Sequence, residues 1–277
     1  MNERFCLNAA TIKGTPLNLQ IRLASEAGFK QIGLWLDDVD QAVAMGTSLS
    51  DIKTQLDSCG LQVAEFCFLG GWQDAEGARF DEVLSQAHRL SNVCRALGCD
   101  ILVAVPALAG GRLGGAPERF RQVCQVAAEH RVRVALEFPG IAAEVKDLRT
   151  AHNLVSAAAC ANAGLVLDTF HFFLGGSSLS DMEGAAEILL VHISDAMNLP
   201  IEELRKPHDN RTFPGEGILD FALIFDRLDQ SHYDGAISLE VWNRKLRQAN
   251  PAEVVKRSCE SFRHIERMVT KNHAGIR

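Results

Sequence analysis

Residues 164–171 read GLVLDTFH, and the fold turns on how that stretch is taken. Gly164 to Leu167 has the near-continuous apolar character of a strand buried on both faces. The run then meets Asp168 and, three residues later, His171, before the apolar Phe172 and Phe173. A carboxylate in a core is costly unless it pairs, binds a cation or loses its charge. Such groups at a strand's C-terminal end mark one end of a sheet as a site.

The same pattern repeats in both directions. Strand-like runs fall at 4–10, 31–37, 61–69, 99–107, 133–138, 164–171, 188–195 and 235–241. Segments of helical period lie between them, among them 16–29, 79–98, 118–130, 147–162 and 219–232, and a last one follows at 251–269. Gly28, Gly60, Gly98 and Gly164 stand where helices should end before the next strand, the place for a C-cap. Eight strand–helix units with no linker-like break predict a single (β/α)8 TIM barrel of the α/β class over residues 1–277. A doubly wound open sheet would place a glycine-rich phosphate turn after its first strand. NAATIKGTP lacks that spacing, and AGGRLGG follows the fourth strand instead.

The composition agrees. Of 277 residues 47% are hydrophobic, enough for a large core, and the net charge of −7 argues against nucleic acid as the main partner. No run approaches the length of a membrane span, and the N-terminus lacks a signal-like apolar stretch, so no membrane partner and a cytoplasmic location are expected. The eight cysteines form no CxxC pair and are expected to be reduced thiols, mostly in the core.

In barrels of this kind the chemistry sits at the C-terminal ends of the strands. The last four strand runs carry LEF, LDTFH, VHISD and LEV, which place Glu137, Asp168, His192 and Glu240 there. Any one alone reads equally as a helix cap, an ion-pair partner or a satisfied core group. Together, three carboxylates and one imidazole call for a cation. One divalent ion fits, Mn²⁺, Mg²⁺, Co²⁺ or Zn²⁺, and the set does not choose among them.

His171 is expected to face a bound substrate, with a hydrogen bond to a metal ligand as the alternative. The long segment after the seventh strand holds Arg211 and the turn PGEG at 214–217. Arg211 either forks onto a substrate oxygen or ties down the loop. Asp195 reads as a capping or supporting group, Glu216 as a turn residue, and His208 and Asp209 as solvated. Glu65 and Trp35 either line the pocket or play structural parts, Glu65 by pairing with a base. Trp72 is placed on a loop covering the site of its own or a neighbouring subunit, and a homodimer is the expected assembly. Histidines 88, 130, 152, 232, 264 and 273 read as surface residues.

The series LEF…GLVLDTFH…VHISD…RTFPGEG…SLEV resembles the xylose isomerase-like TIM-barrel family of sugar isomerases and epimerases, closest to its inosose isomerases. The resemblance implies that Glu137, Asp168, His192 and Glu240 bind the metal. It makes Glu137 and Glu240 the acid–base pair as well, and has His171 and Arg211 hold substrate oxygens. It implies isomerisation or epimerisation of a small keto-sugar or keto-cyclitol through a cis-enediolate, within inositol catabolism. Dehydratases of inosose and dehydroshikimate share the resemblance and are the alternative. Two other classes stand further off. An endonuclease for abasic DNA wants more histidines and a basic groove, and a sugar-binding protein with a vestigial site would lack metal. One segment departs from the inosose isomerase pattern: after LEF the chain reads PGIAAEVKD, without a threonine–asparagine pair.

Overall fold

A computed structural model of the chain describes residues 2–183, 187–206 and 210–275. His208 and Asp209 lie outside the described residues, as does the side chain of His273.

The eight apolar runs form eight parallel strands that close a barrel. They are β1 (Phe5–Asn8), β2 (Gln31–Trp35), β3 (Gln62–Leu69), β4 (Ile101–Ala104), β5 (Arg133–Glu137), β6 (Ala163–Asp168), β7 (Ile188–Ile193) and β8 (Ile237–Leu239). Each strand pairs with its sequence neighbours, and β1 pairs with β8 to close the ring. This is a (β/α)8 TIM barrel, as the strand count predicts.

An outer layer of amphipathic helices covers the strands. Its members include Leu17–Glu26, Ala78–Leu97, Ala116–Glu129, Leu148–Ala158, Phe221–Gln230 and Pro251–Gly275. Their apolar faces and the outward faces of the strands make one continuous core. The last helix closes it by stacking Phe262 on Phe5 from β1, with ring centres 4.1 Å apart. A separate apolar cluster, including Ala10, Trp35, Val103, Ala135 and Val166, fills the inside of the barrel.

Four sequence expectations change. The run 164–171 is not all strand: β6 stops at Asp168, and Thr169–Leu174 is a short helix capped by the Asp168 side chain. Two helices, Leu36–Ala44 and Leu49–Ser58, link β2 to β3, where no helix stood out in the sequence; the second opens on a Ser48–Asp51 capping box. Gly164 is no helix cap. It lies within β6, where a Cβ would meet the Glu187 carbonyl and Leu189 Cγ, each at 2.5 Å, so it is there for close strand packing. Trp72 is fully buried against Phe120 and so covers no site, its own or a neighbour's. Among the described residues no helix is long and apolar enough to cross a membrane.

Candidate active site

Each candidate side chain is placed by its strand. Asp168 and His192 are register partners on β6 and β7. Glu137 ends β5, and Glu240 follows β8 with its N–H donating to the Ile193 carbonyl (3.1 Å). One ligand atom from each of Glu137, Asp168, His192 and Glu240 lies within 4.8 Å of all the others, and all four residues are buried.

The orientation of His192 is the most informative feature. Its Nε2 meets the Glu65 carboxylate at 2.5 Å. Its Nδ1 is buried, has no hydrogen-bond partner, and faces Glu137 at 3.4 Å and Glu240 at 3.5 Å. A carboxylate on one ring nitrogen with the other aimed into a cluster of acids is how a metal-binding histidine is commonly held. The donor set, three oxygens and one nitrogen, suits a divalent cation.

Glu65 is itself held on several sides. It accepts from Ser238 Oγ (2.5 Å) and Asn8 Nδ2 (3.0 Å), with Cys67 Sγ at 3.6 Å. Gly33 on β2 leaves room for it, since a Cβ there would come within 2.4 Å of its Oε1. Of the two readings of Glu65, pairing with a base is the one realised. Asn8 also accepts from Trp35 Nε1 (2.8 Å), which turns that indole's only polar atom into the barrel.

Asp168 holds two groups already. Its Oδ1 accepts from the His171 N–H (2.8 Å), and its Oδ2 accepts from Arg211 Nη1 (2.8 Å). Burial pushes its carboxyl up, but Arg211 and the two histidines outweigh that and hold it at about 2. Glu137 goes the other way. Burial, aided by the charge of Glu240 and opposed by His192, raises it to about 7. For Glu240, burial is outweighed by His192 and Arg211, and the carboxyl is lowered. His192 is raised well above its ordinary value, because Glu65, Glu240 and Glu137 overcome the effect of burial. Protons on Glu137 and His192 thus supply part of the positive charge that a bound cation would replace.

Arg211 lies in a two-stranded hairpin, Asp195–Ala196 paired with Arg211–Thr212, within the long segment after β7. It is buried, bonded to Asp168 and set 4.7 Å over the ring of Phe170, so it is no surface anchor. Asp195 fixes the turn that follows. Its carboxylate accepts from the N–H groups of Ala196, Gly215, Gly217 and Leu219, the capping part read for it. A Cβ on Gly217 would meet the Ala196 carbonyl at 2.2 Å, so the turn needs glycine there.

His171 is buried, and burial lowers it to about 4, so it is neutral. Its Nδ1 accepts from the Gly140 N–H (3.0 Å), while Nε2 lies 2.8 Å from Arg211 Nη2. Arginine only donates, and a neutral imidazole has one lone pair. With Nδ1 accepting, Nε2 carries the proton and two donors point at each other.

Above these groups a cavity of about 310 Å³ opens, with Glu137, His171, Arg211 and Glu240 among its lining. A larger hollow of about 600 Å³ sits at the other end of the barrel, around Gln31, Gln62 and Arg133. The carboxylate cluster lies at the smaller one, and the chemistry rather than the volume picks it out. Cys67 borders the smaller cavity, but burial and Glu65 raise its thiol well above the ordinary value. A second group of metal-binding types, His88, Glu129 and His130, lies among the outer helices. It is partly exposed, and a 3.0 Å bond between His88 Nδ1 and His130 Nε2 accounts for it.

A (β/α)8 barrel with a buried cluster of carboxylates and histidine at the strand ends defines the class, a barrel protein with a candidate divalent-cation site beside a cavity. The chain belongs to the xylose isomerase-like TIM-barrel family, whose model matches residues 21–265. It is 24% identical over 268 residues to an inosose isomerase of Bacillus velezensis, covering 93% of this chain and 95% of that one. It is 29% identical over 248 residues to a 3-dehydroshikimate dehydratase of Pseudomonas aeruginosa, covering 86% of this chain but 38% of that longer protein. In fold it is similar to a crystal structure of the IOLI protein with a bound zinc atom, with a TM-score of 0.89 at 22% identity and 97% and 98% of the two chains covered.

Proposed function

We propose that the protein is a divalent-metal-dependent isomerase or epimerase acting on a small hydroxy ketone, of the keto-sugar or keto-cyclitol kind, through a cis-enediolate. The carrying observation is the unpartnered, buried Nδ1 of His192 aimed at Glu137 and Glu240. Full-length similarity to inosose isomerases supports the reaction class.

In this reading Glu137, Asp168, His192 and Glu240 hold one divalent ion. When bound, the ion polarises a carbonyl and acidifies the adjacent C–H. Glu137 and Glu240 then form the acid–base pair: one carboxylate takes the proton from carbon and the other returns a proton to the neighbouring carbon or the opposite face. His171 and Arg211 hold the substrate. Their opposed donors are 2.8 Å apart, too close for an atom between them, so a substrate oxygen would lie beside the pair and accept from both once they turn toward it. Glu65 fixes the His192 ring so that Nδ1 faces the cluster.

The test begins with metal content. About one divalent ion per chain is expected in the purified protein and its loss in Asp168→Ala. Exchange of the substrate α-proton in deuterated water then reports the proton transfer. Absence of metal in both proteins, even after supplementation, overturns the proposal.

A second reading is supported by the similarity to 3-dehydroshikimate dehydratases. The same proton removal followed by loss of a β-hydroxyl gives a dehydratase. Product mass separates the two, since only the dehydratase loses water.

A further inference from the structure

Three residues of the carboxylate–histidine cluster are held by the sheet itself. Glu137 pairs in register with Val166 of β6, and Asp168 with His192 of β7. Glu240 is the exception. β8 ends one residue before it, at Leu239, and its pairing with β1 ends there too, opposite Leu7. On the β7 side the ladder still reaches Glu240, whose N–H donates to the Ile193 carbonyl (3.1 Å). On the other side β1 stops at Asn8.

A side chain fills that gap. β1 runs into a single 3₁₀ turn, Ala9–Ile12, which Asn8 caps by accepting from the Ala10 N–H (2.9 Å). Thr11 in this turn sends its hydroxyl back to β8. Its Oγ1 donates to the Leu239 carbonyl (2.9 Å) and accepts from the Val241 N–H (3.0 Å). These are the backbone groups just before and just after Glu240. In a parallel ladder, one residue's N–H and C=O take that same pair of groups from the facing strand. Here one hydroxyl, both donor and acceptor, replaces a strand residue. Thr11, Leu239 and Val241 are all fully buried, so water cannot stand in for it.

We propose that Thr11 is a positioning residue for Glu240, fixing the backbone that carries this acid into the cluster. This rests on the isomerase reading above, in which Glu240 is a metal ligand and one of the acid–base pair. Thr11 is not among the residues lining the cavity, so it acts through Glu240 rather than on the substrate.

The test compares three variants of the whole protein. Thr11→Val keeps the shape and removes the hydroxyl, and Thr11→Ser keeps the hydroxyl. Val123→Ala, at a fully buried position of the outer helix Ala116–Glu129, controls for lost stability alone. Zn²⁺ affinity is read by competition with a chromogenic chelator. Exchange of the α-proton of scyllo-inosose in deuterated water is followed by NMR at saturating Zn²⁺. Thr11→Val should bind Zn²⁺ about tenfold more weakly. Its kcat should fall by roughly 10–100-fold, with KM little changed. Thr11→Ser should stay near wild type in both. Val123→Ala should melt at a lower temperature yet keep wild-type affinity and kcat.

Wild-type affinity and kcat in Thr11→Val overturn the inference. So does a Thr11→Ser protein as impaired as Thr11→Val, or the same losses in Val123→Ala. If Thr11→Val does not fold, Thr11→Cys takes its place, because a thiol donates and accepts only weakly; wild-type values there overturn the inference equally. Wild type that binds Zn²⁺ without exchanging scyllo-inosose counts against the isomerase reading, and the affinities alone then decide the role of Thr11. Wild type that does neither removes both.

Discussion

Strands β5 to β8 bring Glu137, Asp168, His192 and Glu240 to one end of the barrel, whereas β1 to β4 bring Asn8, Trp35, Glu65 and Val103 toward the same space. The first set gathers charge at the cavity, which Glu137 and Glu240 line. The second supplies wall and support, and its one carboxylate is buried behind an imidazole. His192 is the meeting point: Nε2 is bound to Glu65 of β3, and Nδ1 faces the acids of β5 and β8. Chemistry and orientation are therefore separated by strand, joined through one ring. Substitutions in the later strands should abolish function, and those in the earlier strands should loosen it.

The largest effect is expected at Asp168, because one side chain holds Arg211, caps the helix Thr169–Leu174 and belongs to the cation cluster. Asp168→Ala takes from a buried guanidinium its nearer carboxylate, leaving Glu240 Oε2 at 3.4 Å, which costs up to about 3–5 kcal/mol, and removes a cap worth about 1 kcal/mol. Denaturant unfolding and metal analysis should show both the lost stability and an empty site. An unchanged melt with full metal content would break the division at its strongest point. Next come Glu137→Gln and Glu240→Gln, which keep shape and remove an acid–base group. Each should slow α-proton exchange by roughly 10²–10⁴-fold, and unaltered turnover in either would falsify the pair's assignment.

Glu65→Gln tests the other side. It leaves the cluster's four residues in place and weakens the hold on the His192 ring. The expected result is a metal affinity lower by about 10–100-fold, read by competition with a chromogenic chelator, with the fold intact by circular dichroism. An effect as large as that of Asp168→Ala would erase the distinction between the two sets of strands.

The pH dependence follows from the same charges. Without metal, Glu137 keeps its proton up to about pH 7, and His192 stays charged beyond its ordinary range. Metal must expel these protons, so affinity should fall below pH 7 by about tenfold per pH unit for each proton released. Stability of the metal-free chain carries the opposite sign. A carboxyl raised from 4.5 to about 7 binds its proton more tightly when folded, so its contribution is present below pH 4.5 and is lost as pH rises through 7. Melting in chelator should show wild type losing ground to Glu137→Gln across that window.

Much of this was legible in the sequence, for identifiable reasons. Buried parallel strands are apolar throughout, so a charged residue at the end of such a run stands out, and Glu137, Asp168, His192 and Glu240 all did. Their gathering follows from the barrel, which brings neighbouring strand ends together. The links between distant strands were not legible. Glu65 reads either as pocket lining or as the partner of some base, and 127 residues separate it from His192, so no local pattern names the partner. Asn8 was missed, although a lone amide within FCLNAA is a signal of the same kind. Trp72 was misplaced because LGGWQD reads as an exposed loop, whereas the ring is buried on Phe120. Where β6 ends was blurred for a local reason: Thr169 to Leu174 are apolar enough for a strand, and only the cap made by Asp168 turns them into a helix.

The smallest expected effect is also the sharpest test of where support ends. Glu65 is held by Asn8 from β1 and by Ser238 from β8, so one of its donors comes from each set of strands. Ser238→Ala removes a single buried hydrogen bond, worth about 1 kcal/mol, and leaves no large group unsatisfied because Glu65 keeps its bonds to Asn8 and His192. Metal affinity should drop by a few-fold, about the same as for Asn8→Ala, and the two changes together should approach the loss seen in Glu65→Gln. If Ser238→Ala instead costs as much as Glu65→Gln, the carboxylate depends on β8 for its position. The orienting role would then belong to the later strands after all, and the division drawn between the two sets would have to be redrawn around His192 alone.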